Sequence, residues 1–336
     1  MVTHSCRLTL ILVAAGLVAG CLDSGSSSSG SSGSIRDLDT AREPADLGSP
    51  SSTRQAVTGV QEIALSAADQ GMEPPASPTP DSNGRTMALA GMTEVARSPL
   101  VAESSITEMC EGGGSASTSP SLENWDGTGE MTMTFNNCST FFGVWDGRVW
   151  FNITEDASGV VMEMEYGEGS TPFSMSLEFD SDSMMMSFLG NMLFEDPALN
   201  APGSFPGSSP MHFAANWEID WDFNIQGGPS GWLVAFQEDF EVYDDFNYLD
   251  VSGRFGIQSS GLECGIGAVT VTTTETLQQG FGGELIAGVL EFSNDAGQTA
   301  TASYNADGTV TISAGGETET VPQSELASAC EVEIMM

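Results

Sequence analysis

The sequence predicts an all-β antiparallel domain over residues 106–336, with a curled sheet or barrel as the first choice and a two-sheet sandwich as the alternative. Apolar residues alternate with polar or acidic residues through most of this range, which is the pattern of strands with one buried face. Turn signals containing Gly, Pro and Asp separate the alternating runs at short intervals. No aromatic residue occurs between Cys21 and Trp125, so the core has to come from the later part of the chain.

The predicted strands follow one another along the domain. Alternation begins in Met131–Phe135 and returns in Val149–Ile153, and the Asp146-Gly147 pair before the second run predicts a hairpin turn. Asp307-Gly308 predicts a second hairpin of the same kind. Further strands are predicted at 160–166, 173–180, 184–188, 215–225, 232–236, 240–243, 246–251, 255–257, 264–277, 284–292, 299–304 and 309–313.

Residues 21–105 are predicted to form a flexible linker before the β domain. Ser24–Ser34 consists only of Gly and Ser, and a stretch without aromatic residues has little from which to build a core. Two segments, 54–70 and 85–109, carry a weak helical spacing of apolar residues. They are interpreted either as docking helices or as transient helices within the linker, and the weakness of the apolar stripe favours the second interpretation.

Residues 1–20 are predicted to be an export signal. Arg7 supplies a positive charge before an apolar run over residues 8–19, which is too short to span a bilayer comfortably. The run ends in Val18-Ala19-Gly20-Cys21. One interpretation of this ending is an ordinary signal peptide in which Cys21 is incidental. The other is a lipid-attachment site.

At these four residues the chain resembles bacterial lipoprotein precursors, whose lipobox reads aliphatic, small, Gly or Ala, and Cys. The resemblance implies thioether diacylation of Cys21, cleavage before it, and acylation of the new amino terminus by a chain such as palmitate. Two or more acyl chains hold a protein stably on a membrane. Leu22 follows the cysteine where Asp would favour retention at the inner membrane, so the resemblance implies the outer membrane of a bacterial envelope, with either face open.

A second, looser resemblance concerns Gly129–Thr154 and Gly283–Ile312. The order of strand, Phe-x-x-Cys, short strand, Asp-Gly and strand in the first segment resembles a type of uncharacterised bacterial secreted protein and lipoprotein. The resemblance covers about a quarter of the domain and implies no activity that can be transferred to this chain.

The charge of the chain is strongly negative. The full sequence has 47 acidic residues and 8 basic ones, all of them Arg. After removal of residues 1–20, seven Arg remain against 47 acids, a net charge of −40 with His neutral. Such a surface repels nucleic acid and anionic lipid headgroups, so neither is an expected partner, and it keeps the protein soluble.

Four cysteines remain once Cys6 leaves with the signal and Cys21 is lipidated. An exported chain with an even number of cysteines is expected to form disulfides. Four cysteines allow three pairings, and the pairing of sequence neighbours is favoured. The favoured pairs are Cys110 with Cys138 and Cys264 with Cys330.

No catalytic constellation stands out, so a non-enzymatic protein is expected. His212 is the only histidine after residue 20, no G-x-S-x-G motif accompanies it, and the absence of Lys excludes Schiff-base chemistry and a P-loop. Paired carboxylates remain as a hydrolase alternative, because residues two apart on a strand share one face at about 6.6 Å. The pairs are Glu163 with Glu165, and Glu218 with Asp220 and Asp222.

Calcium is the one cofactor with any sequence support, from oxygen-rich turns that match no EF-hand loop. No metal site is therefore expected, and solvated turns are the simpler interpretation of these segments. The weak calcium candidates are Asp180, Asp182, Asp244 and Asp245.

Methionines form the last notable group. The strand alternation predicts that seven of them face inward. Inward-facing methionines are typical of irregular core packing and also of an adaptable cavity for a lipid or another apolar ligand. They are Met131, Met133, Met162, Met164, Met175, Met184 and Met186. The sequence thus predicts a membrane-anchored envelope lipoprotein with a structural or interaction role and envelope proteins as partners. The alternatives are an apolar-ligand module and an acidic-residue hydrolase.

Overall fold

The structure, a computed structural model, describes residues 36, 38–69, 106–120, 129–140, 143–156, 159–179, 182–196, 211–224, 230–245, 247–260, 265–280 and 284–326. These residues form one α-helix and one antiparallel sheet of fifteen strands. The all-β prediction is therefore confirmed. Within the described ranges, no helix combines the length and apolar character needed to cross a membrane.

The strands and the helix have the following bounds. They are α1 (Pro50–Asp69), β1 (Ile106–Met109), β2 (Ser115–Ser119), β3 (Gly129–Thr140), β4 (Gly143–Asp156), β5 (Gly159–Tyr166), β6 (Phe173–Phe179), β7 (Asp182–Asp196), β8 (Met211–Asn224), β9 (Ser230–Asp244), β10 (Tyr248–Ser260), β11 (Gly265–Gln279), β12 (Leu285–Ser293), β13 (Thr299–Tyr304), β14 (Thr309–Ala314) and β15 (Glu317–Pro322).

The sheet is a meander in which each strand pairs with its sequence neighbours, except that β5 pairs with β7 and the short β6 pairs with β4 and β7. Among the described strands, no pairing joins β1 to β15, so the sheet does not close evenly as a barrel. It is also one hydrogen-bonded sheet rather than the two of a sandwich. One buried cluster runs from β3 to β15, which shows that the sheet curls around a common core.

The prediction of a hairpin turn at Asp146-Gly147 is wrong. Both residues lie inside β4, opposite β6 and β3 respectively. Gly147 has φ +103°, a conformation that glycine adopts freely, so the Asp-Gly pair redirects a continuous strand from β6 toward β5. The turn at Asp307-Gly308 is confirmed, because Gly308 N–H donates to Asn305 O at 3.1 Å between β13 and β14.

The helix α1 forms within a segment predicted as linker and packs on the sheet. Pro50 occupies the first helical position, and Ser49 Oγ accepts the Ser52 N–H at 3.2 Å, so the helix begins with a favourable cap. Its apolar stripe of Ala56, Val57, Val60 and Ile63 is buried in the main core, and the helix packs against β9, β11, β13, β14 and β15. Residues 54–69, within one of the two segments with helical spacing, thus form part of a helix that packs on the sheet.

The residues before the helix, 36 and 38–48, are called the strap below. We call the sheet face that carries the main core the inner face, and the opposite face the outer face. Leu38 and Ala41 are buried on the outer face, in a small cluster with Phe236, whereas Leu47 is buried in the main core. The strap therefore passes from one face of the sheet to the other, and residues 38–69, which lie within the predicted linker range, form the strap and α1.

The crossing is held by backbone pairing near the start of β11. Ala268 N–H donates to Glu43 O at 2.6 Å, and Ala45 N–H donates to Ala268 O at 3.0 Å. A side chain at Gly267 would place its Cβ 2.5 Å from Glu43 O, so only glycine lets the strap approach this closely.

Candidate functional site

The strap meets the sheet at an acidic and aromatic cleft on the outer face of β8 and β9. On β8 the acidic residues Glu218, Asp220 and Asp222 alternate with Ile219, Trp221 and Phe223, which belong to the main core. On β9 the outer face carries two aromatic rings, Trp232 and Phe236, and a fourth acidic residue, Glu238. We call this set, together with its two strap arginines, the strap site: Arg36, Arg42, Glu218, Asp220, Asp222, Trp232, Phe236 and Glu238.

Arg36 binds the first part of this site. Its Nη2 donates to both carboxylate oxygens of Asp222, at 2.6 and 2.8 Å, and its backbone N–H donates to Asp220 Oδ2 at 2.6 Å. The guanidinium carbon lies 5.3 Å from the centroid of a Trp232 ring, which is cation–π distance. Charge, hydrogen bonding and ring contact therefore all fix the same side chain.

Arg42 binds the second part. Its Nη2 lies 2.7 Å from Glu218 Oε1 and 2.9 Å from Glu238 Oε1. Arg254 of β10 reaches Glu238 Oε2 at 2.6 Å from the sheet itself. Both guanidinium groups lie close to the Phe236 ring, at 5.2 and 5.3 Å from its centroid. The result is a network in which acids of the sheet alternate with arginines of the strap and of β10.

Asp220 is the electrostatically unusual member of the site. Its side chain is only 8% exposed, and burial raises the pKa of its carboxyl above the ordinary value. The backbone hydrogen bond and the charge of Arg36 oppose this shift, and the neighbouring Asp222 adds to it. Asp220 Oδ1 lies 3.6 Å from Arg36 Nη1 and has no hydrogen-bond partner within the described part of the chain.

A pocket of about 260 Å³ opens beside this carboxylate. Arg36, Met185, Ser187, Asp220 and Asp222 line it. A buried carboxyl with a raised pKa next to a pocket is chemically suited to proton transfer. Here, however, both aspartates are engaged by Arg36, so the arrangement works as a clamp on the strap.

The raised pKa of Asp220 predicts a specific pH dependence of stability. Because the pKa is higher in the folded state than in the unfolded state, the contribution is fully present below the ordinary aspartate pKa and is lost as pH rises through the folded value. We therefore expect the free energy of unfolding of the wild type, relative to Asp220→Asn, to increase on acidification. Urea unfolding of both proteins between about pH 7 and about pH 3 measures this difference.

Asp307 provides a control of opposite sign. Hydrogen bonds from Thr309 lower the pKa of this exposed carboxyl, so its contribution is present above the ordinary pKa and is lost as pH falls. Relative to Asp307→Asn, the wild type should lose stability on acidification. Parallel pH profiles for the wild type and Asp220→Asn would contradict the assignment of Asp220.

The other predicted carboxylate pair lies apart from this site. Glu163 and Glu165 are on β5, which is separated from β8 by β7, and Glu163 accepts a hydrogen bond from Asn152 Nδ2 at 3.0 Å. His212 is not part of the strap site either. Its Nδ1 lies 2.7 Å from Glu195 Oε2, and its ring stacks on Tyr243.

Of the predicted disulfides, Cys110–Cys138 is confirmed, with a Cα–Cα distance of 5.4 Å. It joins the end of β1 to β3 across the β1–β2 turn. Cys264, Cys330 and the lipidation candidate Cys21 lie outside the described residues.

The calcium candidates have different surroundings. Asp180 lies outside the described residues, Asp182 begins β7, and Asp244 is buried at the end of β9. Asp245 Oδ1 accepts the Tyr248 N–H at 3.0 Å, which makes it a turn cap. In the ranges described, no group of three or more His, Cys, Asp or Glu residues is placed to hold a metal ion.

The methionines contribute to the main core. Met131, Met133, Met175 and Met186 are buried in it, and Met164 and Met184 pack against it. Met162, on β5, is half-buried. For the six that reach the core, this is the packing expected of flexible side chains that fill irregular gaps.

Sequence reasoning singled out the acidic row of β8 but missed the arginines that bind it. Arg36 and Asp222 are 186 residues apart, and Arg42 and Glu218 are 176 apart. The sequence offered one signal for these arginines. The chain has 47 acidic residues and only eight Arg, and two of the eight, Arg36 and Arg42, lie within seven residues of each other. Comparison of the chain with protein-family models, with curated proteins and with solved structures gives no match.

Proposed function

We propose that the chain is a lipid-anchored protein of a bacterial envelope with a non-enzymatic structural or interaction role. The lipobox at Val18-Ala19-Gly20-Cys21 supports the anchor, and Leu22 supports the outer membrane. The strongly acidic composition supports a solvated domain that is held near a membrane by its lipid rather than by its surface.

The observation that carries the non-enzymatic role is the occupancy of the strap site. A carboxylate pair that hydrolyses a substrate has to face that substrate, with one group able to give a proton and the other able to activate water. Glu218, Asp220 and Asp222 instead face arginines of the strap. The acidic row of β8 therefore holds the segment that follows the proposed anchor against the domain.

Replacement of the anchoring cysteine tests the proposal. In a Gram-negative host, the wild-type chain should sediment with membranes and incorporate radiolabelled palmitate, because Cys21 carries the acyl chains. Cys21→Ser should move to the soluble periplasmic fraction and lose the label. Fractionation followed by immunoblotting and autoradiography measures both effects.

Cys6→Ser is the matched control, since this cysteine lies in the signal and should leave both readouts unchanged. If Cys21→Ser remains in the membrane pellet to the same extent as the wild type, the anchor is wrong. A lipid-sized mass that leaves the purified chain on denaturation in native mass spectrometry would favour the apolar-ligand alternative instead.

A further inference from the structure

An exposed aromatic pair lies on the β9–β10 hairpin. In the described part of the chain, three large apolar side chains are strongly exposed, and two of them are Tyr243 and Tyr248, at 51% and 47%. The third, Met109, lies on β1. Single exposed apolar residues are common, but two aromatic rings exposed together on one short hairpin are a candidate interaction surface.

The register places both rings on the outer face. Tyr243 lies opposite Asp250, and Tyr248 is two residues before Asp250 on the same strand. The tyrosines are therefore diagonal neighbours, about 7 Å apart at their Cα atoms. The alternate residues, Val242 and Leu249, are buried in the main core. The pair thus places two exposed aromatic side chains on the outer face of one hairpin.

Neighbouring groups hold the ring of Tyr243 and the backbone of Tyr248 in place. The Tyr243 ring stacks on His212 with a centroid distance of 4.4 Å and an interplanar angle of 18°, and Glu195 holds the histidine through Nδ1 at 2.7 Å. Around Tyr248, Asp245 Oδ1 accepts the tyrosine N–H, and the Asp245 N–H donates to Tyr248 O at 2.9 Å. Groups fixed before binding lose little conformational entropy when a ligand arrives.

The chemistry around the rings favours a neutral sugar. The face of an aromatic ring is electron-rich and attracts the polarised C–H bonds on the flat side of a pyranose. Exposed carboxylates at Glu241 and Asp250 can accept hydrogen bonds from sugar hydroxyls. The same carboxylates and the acidic chain as a whole repel anionic polymers and anionic lipid headgroups.

We propose that Tyr243 and Tyr248 form a binding platform for pyranose rings of an uncharged glycan. This platform is independent of the proposed lipid anchor and of the strap site. Tyr243 and Tyr248 stack on successive sugar units, and Glu241 and Asp250 receive hydroxyl protons at the edge of the platform.

The test uses the purified full chain and three neutral probes: cellohexaose, chitohexaose and maltohexaose. Saturation-transfer NMR should show contact with at least one probe, and titration should give its dissociation constant. The double substitution Tyr243→Ala and Tyr248→Ala should weaken that binding by at least about tenfold, because it removes both stacking surfaces. Far-UV circular dichroism verifies that the variant keeps its strands.

Two further variants sharpen the result. Met109→Ala, which removes an exposed side chain on another strand, should leave the affinity unchanged, and the double Tyr→Phe variant should keep most of it because the rings remain. If none of the three oligosaccharides binds the wild type, or if the double alanine variant binds equally well, the proposal is overturned. Binding to phospholipid vesicles that is lost in the alanine variant would also overturn it and assign the pair to a lipid surface.

Discussion

Replacing Arg36 and Arg42 together by alanine is expected to lower the free energy of unfolding by about 2–4 kcal/mol. The substitution leaves Glu218, the buried Asp220 and Asp222 without their arginine partners. Glu238 keeps only Arg254, and the cation–π contacts of the strap arginines to Trp232 and Phe236 are lost. The estimate lies below the full value for a buried pair because both arginines are about a third exposed and partly screened. Urea unfolding followed by tryptophan fluorescence measures the change.

Arg148→Ala is the matched control for this prediction. Within the described residues it pairs with Glu168, at 4.0 Å, and that glutamate is 76% exposed. Removal of such a surface pair is expected to cost no more than about 0.5 kcal/mol. Equal losses in the double variant and in Arg148→Ala would show that the strap site contributes no more than an ordinary surface pair.

Val57→Asp is expected to have a still larger effect, about 4 kcal/mol or more, because it places a carboxylate in the main core. Val57 is fully buried on the inner stripe of α1. The domain can relieve the charge by protonating the carboxylate or by releasing the helix, and release exposes Ala56, Val60 and Ile63 as well. Urea unfolding gives the stability, and limited trypsin digestion gives the state of the helix, since Arg54 is bound to Glu319 while α1 is docked.

Gln55→Asp adds the same charge to the same helix at an exposed position. It should change the stability by less than about 0.5 kcal/mol and leave cleavage at Arg54 slow. If the two variants have similar stabilities and similar cleavage rates, the stripe of α1 does not dock as described.

The strands were predictable because their signal is local. From β3 to β14 the alternation of apolar and polar residues reports which face is buried, and it needs no knowledge of neighbouring strands. Asp146-Gly147 shows the limit of such reasoning. The same pair that closes a hairpin at Asp307-Gly308 bends a continuous strand at residues 146–147, and only the pairing of β4 with both β5 and β6 decides between the two.

The strap and its site could not be predicted in the same way. The apolar stripe of α1 is short, and its docking depends on a surface of β9, β11, β13, β14 and β15 that exists only once the sheet has curled. The partners of Arg36 and Arg42 lie more than 170 residues away, so no local pattern relates them. The acidic row of β8 was visible in the sequence, but its role as a clamp required the geometry.

The strap also sets how far the domain can move from a lipid anchor. In the proposed lipoprotein, 14 residues lie between Cys21 and Arg36, and a Gly- and Ser-rich chain of that length has a root-mean-square span of about 20 Å. Were the strap and α1 to detach, a coil extending to residue 105 would have a span of about 50 Å. In the proposed lipoprotein, the arginine clamp on β8 would therefore keep the domain close to its anchor, and opening of the clamp would let the domain reach further from it.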